Sequence, residues 1–150
     1  MLVHESAHLF SKIREAGSVK EIKKWFDVSA NDYWCYHYRL DEASAFKKKN
    51  IGADMIDNII INTIVPLLFA YGQYHQDEKY KQMALQWLGE TSAEHNAILK
   101  ELERLEIENK NAFDSQALIE LKNEYCSQKR CLECAIGNAI LKRENYDLWK

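Results

Sequence analysis

At 150 residues, with a net charge of −3, 47% hydrophobic and 29% charged side chains, the chain has the make-up of one globular domain. That length can bury roughly two thirds of the unfolded surface, and the acid excess excludes a strongly basic nucleic-acid module while leaving local basic patches open. The start, Met1 to Glu5, lacks the regions of a secretory signal, and the longest apolar run, Ile59 to Tyr71, broken by Asn62, Thr63 and Pro66, falls short of the ~20 residues that cross a bilayer.

One Pro, five Gly and long runs of good helix formers predict an all-α domain. A first helix is expected over Glu5 to Glu15, with Leu9, Ile13 and Ala16 on one face and Gly17 as its stop. Ser18 with Glu21 reads as a capping box for a second helix, Val19 to Phe26. Asn31-Asp32 caps a short aromatic segment, Tyr33 to Tyr38, whose alternation fits helix or strand. Lys47-Lys48-Lys49-Asn50 and Gly52 read as a solvated loop, and a long buried helix follows from Ala53 to Tyr71.

Two amphipathic helices, Glu78 to Leu88 and Ala93 to Leu105, with Gly89 between them and Thr91 or Ser92 as cap, predict an antiparallel hairpin. Asp114 or Ser115 caps a helix reaching Tyr125, and a last helix runs from Leu132 to Arg143. The whole is an irregular bundle of six to seven helices in a single domain over residues 1–150. No internal repeat and no Gly-rich phosphate loop is present.

Where the last two helices join stand Cys126, at the end of one, and Cys131 and Cys134, at the start of the other, three thiols in nine residues with Lys129 and Arg130 inside the loop. The spacing C-x4-C-x2-C suits zinc, which prefers four sulfur or nitrogen ligands, and it also suits an iron–sulfur cluster. Cys131 and Cys134, three apart, fall on one face of the last helix, and Lys129 and Arg130 offset thiolate charge or touch a phosphate backbone. The fourth ligand is not local: Cys35 leads, with His37, His4, His8, His75 and His95 behind it. Inert buried thiols and a redox C-x-x-C pair are the rival readings. In the reducing cytoplasm, where this chain is expected to reside, clustered cysteines bind metal more often than they form structural disulfides.

Three further features carry weaker chemistry. His4-Glu5-Ser6-Ala7-His8 formally matches H-E-x-x-H, which on a helix sets two imidazoles and a general base on one face for a zinc hydrolase. No third ligand or substrate-holding strand accompanies it, so interface histidines are the plainer reading. Asp54, Asn58 and Asn62, with Asp57 beside them, form a polar seam expected to be a buried hydrogen-bond network rather than a carboxylate metal site. Trp25, Phe26, Tyr33, Trp34, Tyr36, His37 and Tyr38, preceded by Lys20, Lys23 and Lys24, are expected chiefly as core anchors, with a single-strand nucleic-acid platform as the alternative.

Several segments carry a family resemblance. They are His4 and His8-Leu9-Phe10-Ser11-Lys12-Ile13, Asp32-Tyr33-Trp34 with His37-Tyr38, and Asp57 through Thr63. Phe69 to Gly72, Gln116 to Lys122, and Tyr125-Cys126 with Cys131-Leu132, Cys134 and Ile136-Gly137 complete the set. Together they resemble the C-terminal half of a bacterial family of uncharacterised proteins, a domain of unknown function. The resemblance implies a longer parent protein whose N-terminal half is similar to PD-(D/E)xK nucleases, and it implies that this chain lacks that nuclease core. It includes the three clustered cysteines but not Cys35, which favours His4, His8 or His37 as the fourth ligand. No catalytic residue carries over. The expectation is an accessory domain holding zinc or an iron–sulfur cluster, partnered by a nuclease-like domain and nucleic acid, with no membrane. A metal-free interaction module is the alternative.

Overall fold

In a computed structural model of the protein, residues 8–147 are described, so His4 and Glu5 of the H-E-x-x-H match lie outside the described residues. The protein is all-α in class, an irregular set of helices with one small two-stranded sheet among the described residues. Its contacts divide it into two compact units, up to Thr91 and from Ser92 onward.

The first unit begins with α1 (Leu9–Glu15) and α2 (Val19–Trp25). Ser18 caps α2 by accepting the Glu21 amide, and the Glu21 carboxylate reaches back to the Gly17 amide at 3.0 Å, so two orphan amides at the helix start are satisfied. Next comes α3 (Asp32–Tyr36), capped by the Asn31 side chain, and a hairpin of β1 (His37–Arg39) with β2 (Glu42–Ala43). The aromatic segment is therefore one helical turn running into a strand, with Asp41 in the left-handed region at the hairpin turn.

The long helix is a composite: α4 (Ala53–Ile59), a π-helical stretch at Ile60–Ile64, and α5 (Val65–Tyr74). Pro66 supplies the reason, because it has no N–H for the carbonyl of Asn62 and strains a regular α ladder at that point. Val65 donates instead to Ile60, five residues back. The wider turn also serves packing. Ile56, Ile60, Ile64, Leu68 and Gly72 are all buried at a strict spacing of four, which drifts about 40° per step around a regular α-helix. The π-helical turn takes up more residues per revolution and holds that stripe on the core.

Against the stripe pack Ile13 of α1 and Ala16 just after it, Val19, Ile22 and Phe26 from the α2 region, and Ala84 and Trp87 of α6 (Glu78–Glu90). Each buried Ile or Trp side chain contributes on the order of 1.5–3 kcal/mol by leaving water. The antiparallel partner of α6 is α5, which precedes it, where the sequence predicts the helix that follows. Gly72 makes that hairpin close: a Cβ there would lie 2.9 Å from both the Asp77 carbonyl oxygen and the Lys81 amide nitrogen. By length and composition the 22 residues Ala53–Tyr74 could also cross a membrane. In the structure they are the central helix of this unit's core.

The second unit holds α7 (Ala97–Glu103), α8 (Ala112–Glu120) continuing into a π-helical stretch at Leu121–Cys126, and α9 (Ala135–Asp147). Its caps are Asn96, which accepts the Leu99 amide, and Asn111, which accepts the Asp114 amide. Both differ from the Thr91 or Ser92 and the Asp114 or Ser115 expected. Ser115 is fully buried instead. Its hydroxyl accepts the Glu94 amide at 2.9 Å and donates toward Asn109 Oδ1 at 2.8 Å, joining the segment before α7 to the one before α8.

Candidate functional site

Residues Ser29 to Asn50 form a small closed module of the first unit. The backbone bridge Ser29–Asn50 and the Ala30 amide on the Lys49 carbonyl (2.8 Å) shut its neck. Within it the Ser44 amide bonds to Tyr36 and the Lys47 amide to Cys35, so the lysine run lies back along α3. Only Cys35 of α3 is buried; its thiol points toward the Ala30 carbonyl at 3.9 Å. Cys35 therefore acts as the inward peg of the module.

Everything aromatic around that peg faces out. Tyr33 and Trp34 are each 39% exposed, Tyr36 49%, Tyr38 62% and Phe46 63%, with Leu40 beside them. These exposed apolar side chains all fall within fourteen residues, 33–46. The core-anchor expectation thus holds for Phe26, buried, and for Trp25, part-buried, and it fails for Tyr33, Trp34, Tyr36 and Tyr38. The physical reason is α3's length: a helix of one turn and a half buries one residue and leaves the others outward.

The rings are held in place. Tyr33 and His37 stack at 4.1 Å with planes 3° apart, and Trp34 meets Tyr33 edge-on at 5.1 Å. His37 Nδ1 lies 2.8 Å from the Tyr33 carbonyl, an acceptor only, so Nδ1 carries the proton. The Tyr33 hydroxyl accepts the Asp41 amide and pins the hairpin turn. Lys49 donates to the His37 carbonyl at 2.5 Å and sits 3.5 Å above the Tyr38 ring, a cation–π contact. Lys47 and Lys48 form no ion pair among the described residues. The acids on the module are Asp32, Asp41 and Glu42, and Glu42 pairs with Arg39 at 3.8 Å.

The cysteine turn belongs to the second unit. Cys126 ends the π-helical stretch, and its carbonyl accepts the Lys129 amide in a tight turn where Lys129 takes a left-handed conformation. Arg130 then clamps the turn. Its guanidinium grips Glu133 Oε2 through Nη2 at 2.6 Å and Nε at 3.1 Å, and lies over the Tyr125 ring. That hydrogen bond, and then the charge, holds the Glu133 carboxyl below its ordinary range. The pairing also occupies Arg130, one of the two residues expected to meet a phosphate, and leaves the other, Lys129, exposed.

Of the three thiols, Cys134 is buried and Cys126 and Cys131 are exposed. Among the described residues no group of three or more His, Cys, Asp or Glu side chains comes together as a metal ion would require. As arranged, then, these residues do not fit a zinc or cluster ligand set. Of the other candidate ligands, Cys35, His37, His8 and His75 belong to the first unit, and His95 to the second. His8 is exposed at the start of α1.

The polar seam also differs from expectation. Asp54, Asn58 and Asn62 lie on the exposed side of the long helix, and Asn62 Nδ2 donates to the Asn58 carbonyl. Only Asp57 is drawn inward, where Lys23 pairs with it at 2.6 Å. A spacing of four aligns these side chains with one another but does not say which face they share. The apolar stripe two residues further on, from Ile56, took the core.

Comparison with known protein families gives a match over the N-terminal part of the chain. The sequence profile of a family described as Protein of unknown function (DUF2851) matches residues 1–97. The matched stretch includes the aromatic–lysine module and stops before the cysteine turn. No curated protein and no solved structure matches the chain.

Proposed function

Since the chain belongs to the DUF2851 family of proteins of unknown function, through a match that contains the aromatic–lysine module, we propose that it is a helical accessory module for nucleic-acid processing. In this reading it presents single-stranded nucleic acid to a nuclease-like partner domain. The observation that carries the proposal is the outward face of residues 33–49. Tyr33, Trp34, Tyr36, Tyr38 and Phe46 are exposed there, one face of Tyr33 being taken by His37 and one of Tyr38 by Lys49, and Lys47 and Lys48 stand beside them with no competing ion pair among the described residues. Stacking of a base on an aromatic side chain is worth about 1–3 kcal/mol and tolerates any sequence, while lysines follow the phosphates. Lys129, exposed in the second unit, is a weaker second contact.

The test is fluorescence anisotropy of labelled oligo-dT and oligo-U with the whole chain at low salt. Trp34→Ala with Tyr38→Ala is expected to weaken binding by on the order of 10-fold or more, from about 1–3 kcal/mol per lost stack. Unchanged affinity in that variant, with its fold intact by circular dichroism, would dismiss the reading.

A second reading, a metal-free protein-interaction module, is favoured by the outward side of Ala53–Tyr74, where Met55, Leu67, Phe69 and Tyr74 are exposed. It is the better account if the chain binds no oligonucleotide and the Leu67→Glu variant loses self-association or capture of a nuclease-like partner. A zinc or iron–sulfur clamp through Cys126, Cys131 and Cys134 carries no part of either reading, because the described thiols are not gathered as ligands. About one zinc per chain, or iron with sulfide, in protein purified without oxygen would reinstate it. The zinc-hydrolase reading through His4, Glu5 and His8 has only the exposed His8 among the described residues to draw on.

A further inference from the structure

Two thiols of the cysteine turn stand in a relation that neither nucleic-acid binding nor packing uses. The Arg130 carbonyl accepts the Glu133 amide at 3.1 Å and the Cys131 carbonyl accepts the Cys134 amide at 3.3 Å, two successive bonds of the i to i+3 kind. A chain reversal closed this way keeps the Cα atoms of its first and fourth residues under about 7 Å apart. A disulfide requires about 4.4–6.8 Å. The turn is also held firmly. Arg130 clamps Glu133 from one side, and from the other Asn138 Nδ2 donates to the Leu132 carbonyl at 2.5 Å. The first turn of α9 lies so close that a Cβ on Gly137 would overlap the Cys131 carbonyl. One thiol of the pair is exposed and the other buried, Cys134 being 8% exposed.

We propose that Cys131 and Cys134 form a reversible intramolecular disulfide by exchange with an external disulfide, the class to which oxidised glutathione belongs. The exposed Cys131, as thiolate, attacks one sulfur of the external disulfide, making a mixed disulfide and expelling one thiolate, which takes up the proton that Cys131 lost. Cys134, deprotonated in turn, attacks the Cys131 sulfur and expels the second thiolate, which is protonated likewise. Two protein thiols are oxidised and one external disulfide is reduced to two thiols. Cys126 is the bystander. It is exposed, but a turn with Lys129 in a left-handed conformation separates it from the pair.

Trypsin separates the thiols cleanly, since cleavage after Lys122, Lys129, Arg130 and Lys142 leaves Cys126 in residues 123–129 and the pair together in residues 131–142. The whole chain is equilibrated in glutathione buffers of rising oxidation, quenched with an alkylating agent, digested and weighed. The 131–142 peptide is expected to become two hydrogens lighter and to lose both alkyl groups, reversibly with dithiothreitol, while Cys126 and the buried Cys35 still alkylate once unfolded. In Cys134→Ser the exposed Cys131 is expected to accumulate as the mixed disulfide with glutathione. In Cys131→Ser the 131–142 peptide is expected to stay reduced. The proposal is overturned if the peptide keeps two alkylatable thiols at every ratio, if the bridge runs to Cys126, or if chain purified without oxygen carries stoichiometric zinc or iron that blocks both thiols. None of these outcomes bears on oligonucleotide binding.

Discussion

Single side chains in this protein hold segments together through a few well-placed polar atoms. Ser115 is the sharpest case, because its buried hydroxyl is the acceptor for the Glu94 amide. Ser115→Ala leaves that amide without a partner and is expected to lower stability by about 1–3 kcal/mol, read as a shift in the urea midpoint. The Arg130–Glu133 clamp makes the cysteine turn pH-dependent. Glu133 is held below its ordinary value by the Arg130 hydrogen bond, so the clamp's contribution is present above the ordinary glutamate range and is lost as pH falls through the lowered value. Amide exchange of residues 130–134, corrected for its intrinsic pH dependence, is therefore expected to lose protection as acidification carries Glu133 through that lowered value. Protection that does not change on acidification, or that is the same in Glu133→Gln, would remove the clamp from the account. These contacts were only partly legible in the sequence. Ser18 with Glu21 announced its cap as a capping box, and Asn31-Asp32 marked a second cap without saying which of the two residues serves. At 111–115 three cap-competent residues compete, and the choice of Asn111 depends on Ser115 being drawn into the unit's interior, which no local pattern reveals.

At the level of elements the decisive packing is that of α5 against α6. Gly72 lies where a Cβ would press on backbone atoms of Asp77 and Lys81 that cannot move aside as a side chain would. Gly72→Ala is expected to cost on the order of 1–3 kcal/mol even though alanine is the better helix former, with the loss read in thermal unfolding. An unchanged or raised melting temperature would mean that the helices are not so close. Trp87→Ala, in the middle of the same interface and 1% exposed, is expected to cost about 3–5 kcal/mol. The long helix itself was readable from its apolar run and from Pro66. Its partner was not, because apolar periodicity gives each helix a face without naming the face it meets. The aromatic segment shows the same limit. The rings from Tyr33 to Tyr38 are expected as core anchors, whereas so short a helix followed by a three-residue strand has nothing to bury four rings against.

For the molecule as a whole, sequence and structure converge on the all-α class. Helix content, the caps and the low Pro and Gly content were sufficient for an all-α reading. The cysteine spacing drew attention to the C-terminal segment, but spacing along the chain does not specify convergence in space, and the described thiols are not gathered as metal ligands. One feature that the fold sets outward is the aromatic–lysine module, which also lies within the family match. If it tracks a phosphate backbone, the log of affinity falls with the log of salt by roughly 0.7 per phosphate contacted, and Lys47→Ala with Lys48→Ala is expected to reduce that slope by roughly 1.4. The most direct measurement is ultraviolet cross-linking of the whole chain to oligo-U, followed by mass-spectrometric location of the linked residues. Links concentrated on Tyr33, Trp34, Tyr36, Tyr38 and Phe46, and abolished by excess unlabelled single strand, are the expected result. Links absent from residues 33–49, or found only elsewhere on the chain, would contradict the proposal that this face holds nucleic acid.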